Sequence, residues 1–318
     1  MRDKRMLRCA LALACLLAVP PALAAEGERS ASALGAEIER LDGVIRLLRR
    51  ALESADASDR AEIRWILASR LSDRFAARSL LHDRLSSKPR VHDGLVRGIL
   101  IPPSARADER EVLRLCECIA SEDPRSAYAA RALLTLGDQL SASGWRSSEE
   151  ARARYLAVIE RFGKSRAELV ARQRLGRMAM RDKSWERARE LLEHVAIQTD
   201  PVPHRPLLVL GAGREEIRHD AVQTLVWVYA SLDDPLRAWE AFRRYGLRDE
   251  ERVGLLETLA SRLYCSGRAD KSLEVYRRLL EEGKAEPWRM KRWRESAERI
   301  AEDLAAGRPA RCRIDFEG

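Results

Sequence analysis

The sequence predicts an all-α fold built from repeated helical hairpins, and three observations carry that expectation. Leu225, Tyr229, Ala238 and Phe242 recur as Leu259, Leu263, Ser272 and Tyr276, each pair 34 residues apart. The earlier run Leu175, Gly176, Ala179, Ala188, Leu192 and Val195 has the same internal spacing. Within each run the apolar residues fall four apart, which places them on one face of a helix. A fixed period of roughly 20–50 residues marks an array of units, each burying its apolar face on the next. The small residue of each second helix (Ala188, Ala238, Ser272) suits close approach of two backbones. The larger residue one turn later (Leu192, Phe242, Tyr276) is expected to plug the gap between hairpins.

Taken in order, residues 1–24 read as a secretory signal. Arg2, Lys4, Arg5 and Arg8 form a basic start, Cys9 to Val19 is an apolar run too short to span a bilayer, and Ala22-Leu23-Ala24 is a small-residue cleavage site. Cleavage is expected after Ala24, with a periplasmic mature protein. Lipid attachment at Cys15 is not expected, because Ala12-Leu13-Ala14 lacks the usual aliphatic residue three before the cysteine. No later segment is long and apolar enough to span a membrane.

From Leu34 to Leu52, Ile38, Leu41, Ile45, Leu48 and Leu52 recur at helical spacing. Ser54 to Ser58 breaks the pattern, and Ser58 or Asp59 is expected to cap a helix carrying Ile63, Ile66, Leu67, Leu71 and Phe75. Ser86 to Arg106, with Pro89, Pro102 and Pro103, reads as loop. Glu111 to Ala120 is helical again, Asp123-Pro124 closes it, and Arg125 opens the clearer repeats. Leu136-Gly137, Ala151, Tyr155 and Val158 form a weaker copy with a longer turn around Trp145. Ser231 to Pro235 is a turn whose proline suits the first turn of the next helix. Leu175 and Leu225 are 50 residues apart instead of 34, so an insert lies near 201–214. Trp288 to Ala306 reads as a final amphipathic helix with Trp293, Ala297, Ile300 and Leu304 on one face, and 307–318 as frayed. The expected divisions are 1–24, 25–106, 107–284 and 285–318.

The bulk numbers exclude several classes. Net charge is +8, and removing residues 1–24 leaves +5, with acid and base interleaved along the helices. No basic stripe with interleaved aromatics points to nucleic acid. Gly211-Ala212-Gly213 follows an apolar run, but Glu216 stands where a phosphate-binding turn needs a third glycine, so no cofactor is expected. His82, His92, His194, His204 and His219 are scattered, and His194, beside Val195, reads as structural. No nucleophile elbow, Walker or metalloprotease pattern occurs, so no catalysis, metal or small-molecule substrate is expected. Of the four cysteines beyond residue 24, Cys116 and Cys118 are badly placed to pair with each other. Buried free thiols are the default, and a Cys265–Cys312 bond between the last hairpin and the final helix is an open alternative.

The pattern resembles the tetratricopeptide repeat. Leu175-Gly176, Trp185 before the second helix and Asp200-Pro201 at the unit end carry the likeness, which covers roughly 127–284. The resemblance implies a right-handed superhelical solenoid of hairpins with a C-terminal capping helix. It also implies a concave groove lined by the first helix of each unit. Carried over by position, that groove takes Val170, Gln173, Arg177, Met180 and Arg181 from one unit. The next supplies Asp220, Gln223, Trp227, Ala230 and Ser231, and the last Gly254, Glu257, Ser261, Tyr264 and Cys265. Trp227 is either a peptide anchor or a residue packed under the 201–214 insert; Arg177 and Arg181 would favour an acidic ligand.

Two exported groups are similar. Ala221 to Glu282, with Val228-Tyr229-Ala230 and Pro235 to Phe242, looks like the repeat lipoproteins of gliding-motility machinery. Ala153 to Arg177, with Tyr155 to Phe162, looks like outer-membrane assembly and Tol-associated periplasmic repeat proteins. The implied function is a non-enzymatic scaffold that binds a protein partner in the cell envelope. A chaperone-like holder of envelope polypeptides is the alternative. An accessory to peptidoglycan or polysaccharide processing ranks last, because a sugar groove needs stacking aromatics and these are 5% of the chain.

Overall fold

The computed structural model describes residues 30–85, 102–142, 148–197, 214–282, 285–310 and 312. The signal segment, the turn around Trp145, residues 86–101 and the insert 201–213 lie outside the described residues. Among the described residues every regular element is helical, and the chain divides into two compact units between Gly163 and Lys164.

The first unit holds α1 (Ala31–Glu53), α2 (Ala57–Leu85), α3 (Pro103–Glu122), α4 (Ala127–Ala142) and α5 (Ser148–Arg161). Each packs on the next, and α2 also touches α4. Ser30 caps α1 by accepting from the Ala33 N–H at 3.1 Å. Leu41, Ile45 and Leu48 of α1 meet Leu67 and Leu71 of α2, with Leu115, Cys116 and Ile119 of α3 completing the core. Helix α2 starts at Ala57, so Ser58 and Asp59 lie inside its first turn and not at the N-cap position, which falls at Asp56; the Asp56 carbonyl accepts from the Asp59 and Arg60 N–H groups. Pro103 to Arg106, expected as loop, opens α3, because proline suits a helix's first position.

Three helices of this unit are also joined by charge. Arg74 of α2 donates to buried Asp108 of α3 through Nε at 3.1 Å and Nη2 at 2.5 Å, and to Asp42 of α1. Arg78 adds Nη1 to Asp108 at 2.9 Å. A buried carboxylate is tolerable only when paired in this way.

The second unit holds α6 (Arg166–Arg181), α7 (Trp185–Ile197), α8 (Arg214–Leu232), α9 (Pro235–Arg244), α10 (Asp249–Cys265), α11 (Ala269–Glu282) and α12 (Pro287–Ala305). Here α6 pairs with α7, α8 with α9 and α10 with α11, while the first helices α6, α8 and α10 also touch in turn. Neighbouring-helix contact of this kind is what a helical repeat requires. Every residue that carried the 34-residue period is buried: Leu225, Tyr229, Ala238 and Phe242 fully, as are Leu259, Leu263 and Ser272, with Tyr276 nearly so. Burial of one such Leu or Phe stabilises by about 1.5–3 kcal/mol. Surface pairs such as Lys271–Glu274, at 3.8 Å, contribute well under about 1 kcal/mol each. The apolar seams therefore dominate.

The helix ends repeat as well. Residues with positive φ fall at Lys183 (56°), Asp233 (58°) and Gly267 (81°), the same 50 and 34 residues apart as the core positions. After α6 the Ser184 N–H reaches the Ala179 carbonyl and Lys183 reaches Met180; after α10 Arg268 reaches Leu263 and Gly267 reaches Tyr264. These paired bonds satisfy the last carbonyls and turn the chain back. Asp234 caps α9 by accepting from the Arg237 N–H at 3.0 Å, with Pro235 at the first helical position. The expected turn is therefore shorter, since Ser231 and Leu232 belong to α8.

Three expectations change. Leu192 does not plug a gap between hairpins alone: it fills the space above Gly176 of its own hairpin, as Tyr155 does above Gly137. On α12, Trp293, Ala297 and Ile300 are buried, but Leu304 is exposed and Asp303 takes the inward place. Residues 307–310 and 312, expected to be frayed, are tied to the rest of the unit. Gly307 and Arg308 close α12, and Cys265 is disulfide-bonded to Cys312, so these two are not free thiols. Cys116 and Cys118 are free, and burial pushes the Cys116 thiol up to about 12.

A Cβ on Gly137 would sit 2.6 Å from Tyr155 Cε1, and one on Gly176 2.8 Å from Leu192 Cγ, whereas Gly43 of α1 has nothing within 4 Å. Gly137→Ala and Gly176→Ala should each destabilise by about 1–3 kcal/mol, and Gly43→Ala should stabilise by about 0.4–1 kcal/mol. Urea denaturation midpoints check the signs; three changes of one sign would refute the close-approach account. For the disulfide, denatured but unreduced protein starting at Ala25 should label at Cys116 and Cys118 alone. The Cys312→Ser variant should lose about 2–4 kcal/mol, and full labelling of the native protein would rule the bond out.

Candidate partner-binding surface

The residues carried over from sequence lie on the first helices of the second unit, but they do not form one open lining. Gln173 of α6 is buried and donates to Asp220 of α8. Arg177, one turn on, donates Nη2 to both Asp220 carboxylate oxygens at 2.7 Å. Two expected ligand-facing groups thus join α6 to α8, and Arg177 already has its acid. Arg181, at the end of α6, is exposed.

Glu257 and Tyr264 of α10 are likewise engaged within the chain. Glu257 accepts from Arg289 Nε at 3.0 Å and Nη2 at 2.8 Å, and from the Trp293 indole N–H, all on α12. Arg292 Nη2 stands 3.5 Å away. Burial alone would raise the Glu257 pKa, but the Arg289 and Trp293 hydrogen bonds and the arginine charges hold it below the ordinary carboxylate range. Tyr264 donates its hydroxyl to Asp303 Oδ2 at 2.6 Å, and Arg308 Nε stands 2.7 Å from Asp303 Oδ1. The final helix covers these two residues, so they correct the expectation of an open position there.

What stays open lies on α8 and α10. Gln223 is exposed, and Trp227, a turn further along, is 47% exposed. The guanidinium of Arg262 on α10 lies over the Trp227 ring, Cζ 3.0 Å from its centroid. Ser261 and Thr258 are exposed beside it, Thr258 Oγ1 donating back to the Gly254 carbonyl at 2.9 Å. Arg262 was absent from the carried-over positions. The signal for it is the 34-residue period, since Trp227 aligns with Ser261 and the cross-helix partner is the next residue. The alternative that Trp227 packs under the insert concerns residues outside the described ones.

His194 stands 3.5 Å from Glu168 Oε1, and burial together with the Arg172 charge lowers its pKa. Among the described residues no group of three or more His, Cys, Asp or Glu could hold a metal, and no helix is long and apolar enough to cross a membrane. No protein-family model matches the chain. No curated protein matches it either.

The Glu257 carboxylate has a depressed folded pKa, so it contributes stability above its unfolded pKa, and that contribution is lost as pH falls through the lower folded value. Glu257→Gln should destabilise by about 1–3 kcal/mol at pH 7, with the difference from native protein narrowing below about pH 4. Thermal unfolding between pH 7 and pH 3 tests this; a pH-independent difference would contradict the assigned ion cluster.

Proposed function

We propose that this chain is an exported scaffold of the bacterial cell envelope, in which α6–α11 form a right-handed tetratricopeptide-type solenoid closed by α12. It binds a protein partner across the first helices of the second unit and performs no bond chemistry. The observation that carries this reading is Trp227. In a row where Gln173, Arg177, Asp220, Glu257 and Tyr264 are bonded to neighbouring helices, a large indole stands half-open to solvent. A rigid exposed aromatic on packed helices loses little entropy on binding and is the kind of residue that dominates interfaces.

The envelope assignment rests on the signal segment at 1–24, and a place in motility or outer-membrane assembly rests on the likeness of Ala221–Glu282 and Ala153–Arg177 to those repeat groups. The disulfide between Cys265 and Cys312 supports an oxidising compartment.

The test is a pull-down from detergent-solubilised envelope with mature protein and Trp227→Ala. A discrete partner should be recovered by the native chain and weakened at least about tenfold by the variant, as expected for an anchor worth about 2 kcal/mol or more. Equal recovery by both would place the contact elsewhere, and recovery of no discrete partner would favour a chaperone-like holder.

A further inference from the structure

The arginine stacked on Trp227 is unlike the others around it. Asp220 already takes Arg177, Glu257 takes Arg289, and Asp303 stands 2.7 Å from Arg308, so the acids of this row are engaged. Arg262 has no carboxylate and no side-chain hydrogen-bond acceptor among the described residues, and its Nε is buried without a partner. Burial also holds its guanidinium below its ordinary range, with no acid to offset it. A cation taken partly out of water without a counter-charge is costly to keep. The indole face offsets part of that cost. The ring offsets the charge but leaves the Nε–H donor without an acceptor, and the donor fork of a guanidinium suits a carboxylate.

We infer that Arg262, held over the Trp227 ring, is the point at which the scaffold reads a Glu or Asp side chain of its partner, with an adjacent apolar side chain of that partner lying against the exposed indole. The inference rests on the partner-binding reading above and narrows it to an acidic peptide segment. Charge complementarity commits it to acid: the free charge at the site is positive, and the neighbouring arginines are neutralised internally. Arg177, expected from sequence to attract the acid, is replaced in that role by Arg262.

The test uses an array of immobilised decapeptides in which Glu and Asp alternate with Leu and Phe, beside matched peptides carrying Gln and Asn, probed with the full mature protein. The native chain should prefer the acidic set by roughly tenfold, the size expected for one charge-assisted contact, and the preference should shrink as salt is raised. Arg262→Gln should abolish the preference, and Arg262→Lys should keep part of it because charge remains while the fork is lost. Native-like circular dichroism and melting of each variant exclude misfolding as the cause. If Arg262→Gln keeps the acidic preference while Trp227→Ala weakens both peptide sets, the inference fails and the surface reading stands. If Trp227→Ala leaves binding unchanged, the surface reading fails too. Equal binding of acidic and amide peptides by native protein, or no binding of either, overturns the assignment of an acidic ligand.

Discussion

Two helices can lie close together only where side chains leave room, and the hairpins of this chain are organised by that constraint. Gly137 sits beneath Tyr155 and Gly176 beneath Leu192, each with no space for even one further carbon. Ala188, Ala238 and Ser272 are buried on the opposing helices. In the later hairpins Val226 and Ala260 occupy the position of Gly176, with Phe242 and Tyr276 at the position of Leu192. Once the two helices of a hairpin are seated, their apolar edges must be covered by the next hairpin. That requirement produces the sequential packing of α6 through α12.

The first helices bring a second layer of interaction. Gln173 and Arg177 bind Asp220, Arg262 stacks on Trp227, and Glu257 takes Arg289 and Trp293. Polar side chains thus bridge each first helix to the one after it. Helix α12 occupies the place of a further first helix, and the Cys265–Cys312 bond ties its trailing segment to α10. The same contacts that end the array consume groups that an open repeat surface would present. At the α8–α10 step the Trp227 indole stays half-exposed, and among the described residues Arg262 has no carboxylate partner.

The first unit achieves coherence differently. Its core of Leu, Ile and Val is supplemented by the Arg74, Arg78, Asp42 and Asp108 cluster joining α1, α2 and α3. None of these four stood out in the sequence, because Arg and Asp at helical spacing also describe an ordinary solvated face. Only the burial of Asp108 and Arg74 separates the two cases.

The amino-acid sequence by itself determined the helical class, the period and the identity of the core. A buried face is written locally, by residues three and four apart, and the repeat writes it again 34 residues later. One helix start was legible at Pro235, where a single residue forces the turn, whereas Ser58, Asp59 and Pro103 were misread and lie inside the first turns of their helices. The tertiary structure alone decided which polar groups stay available. Whether Arg177, Glu257 or Arg262 keeps a free charge depends on what the neighbouring helix places within about 3 Å, and that partner lies 32 to 43 residues away in the chain. A one-dimensional pattern records which face a side chain occupies, but not whether the opposite helix has already bound it.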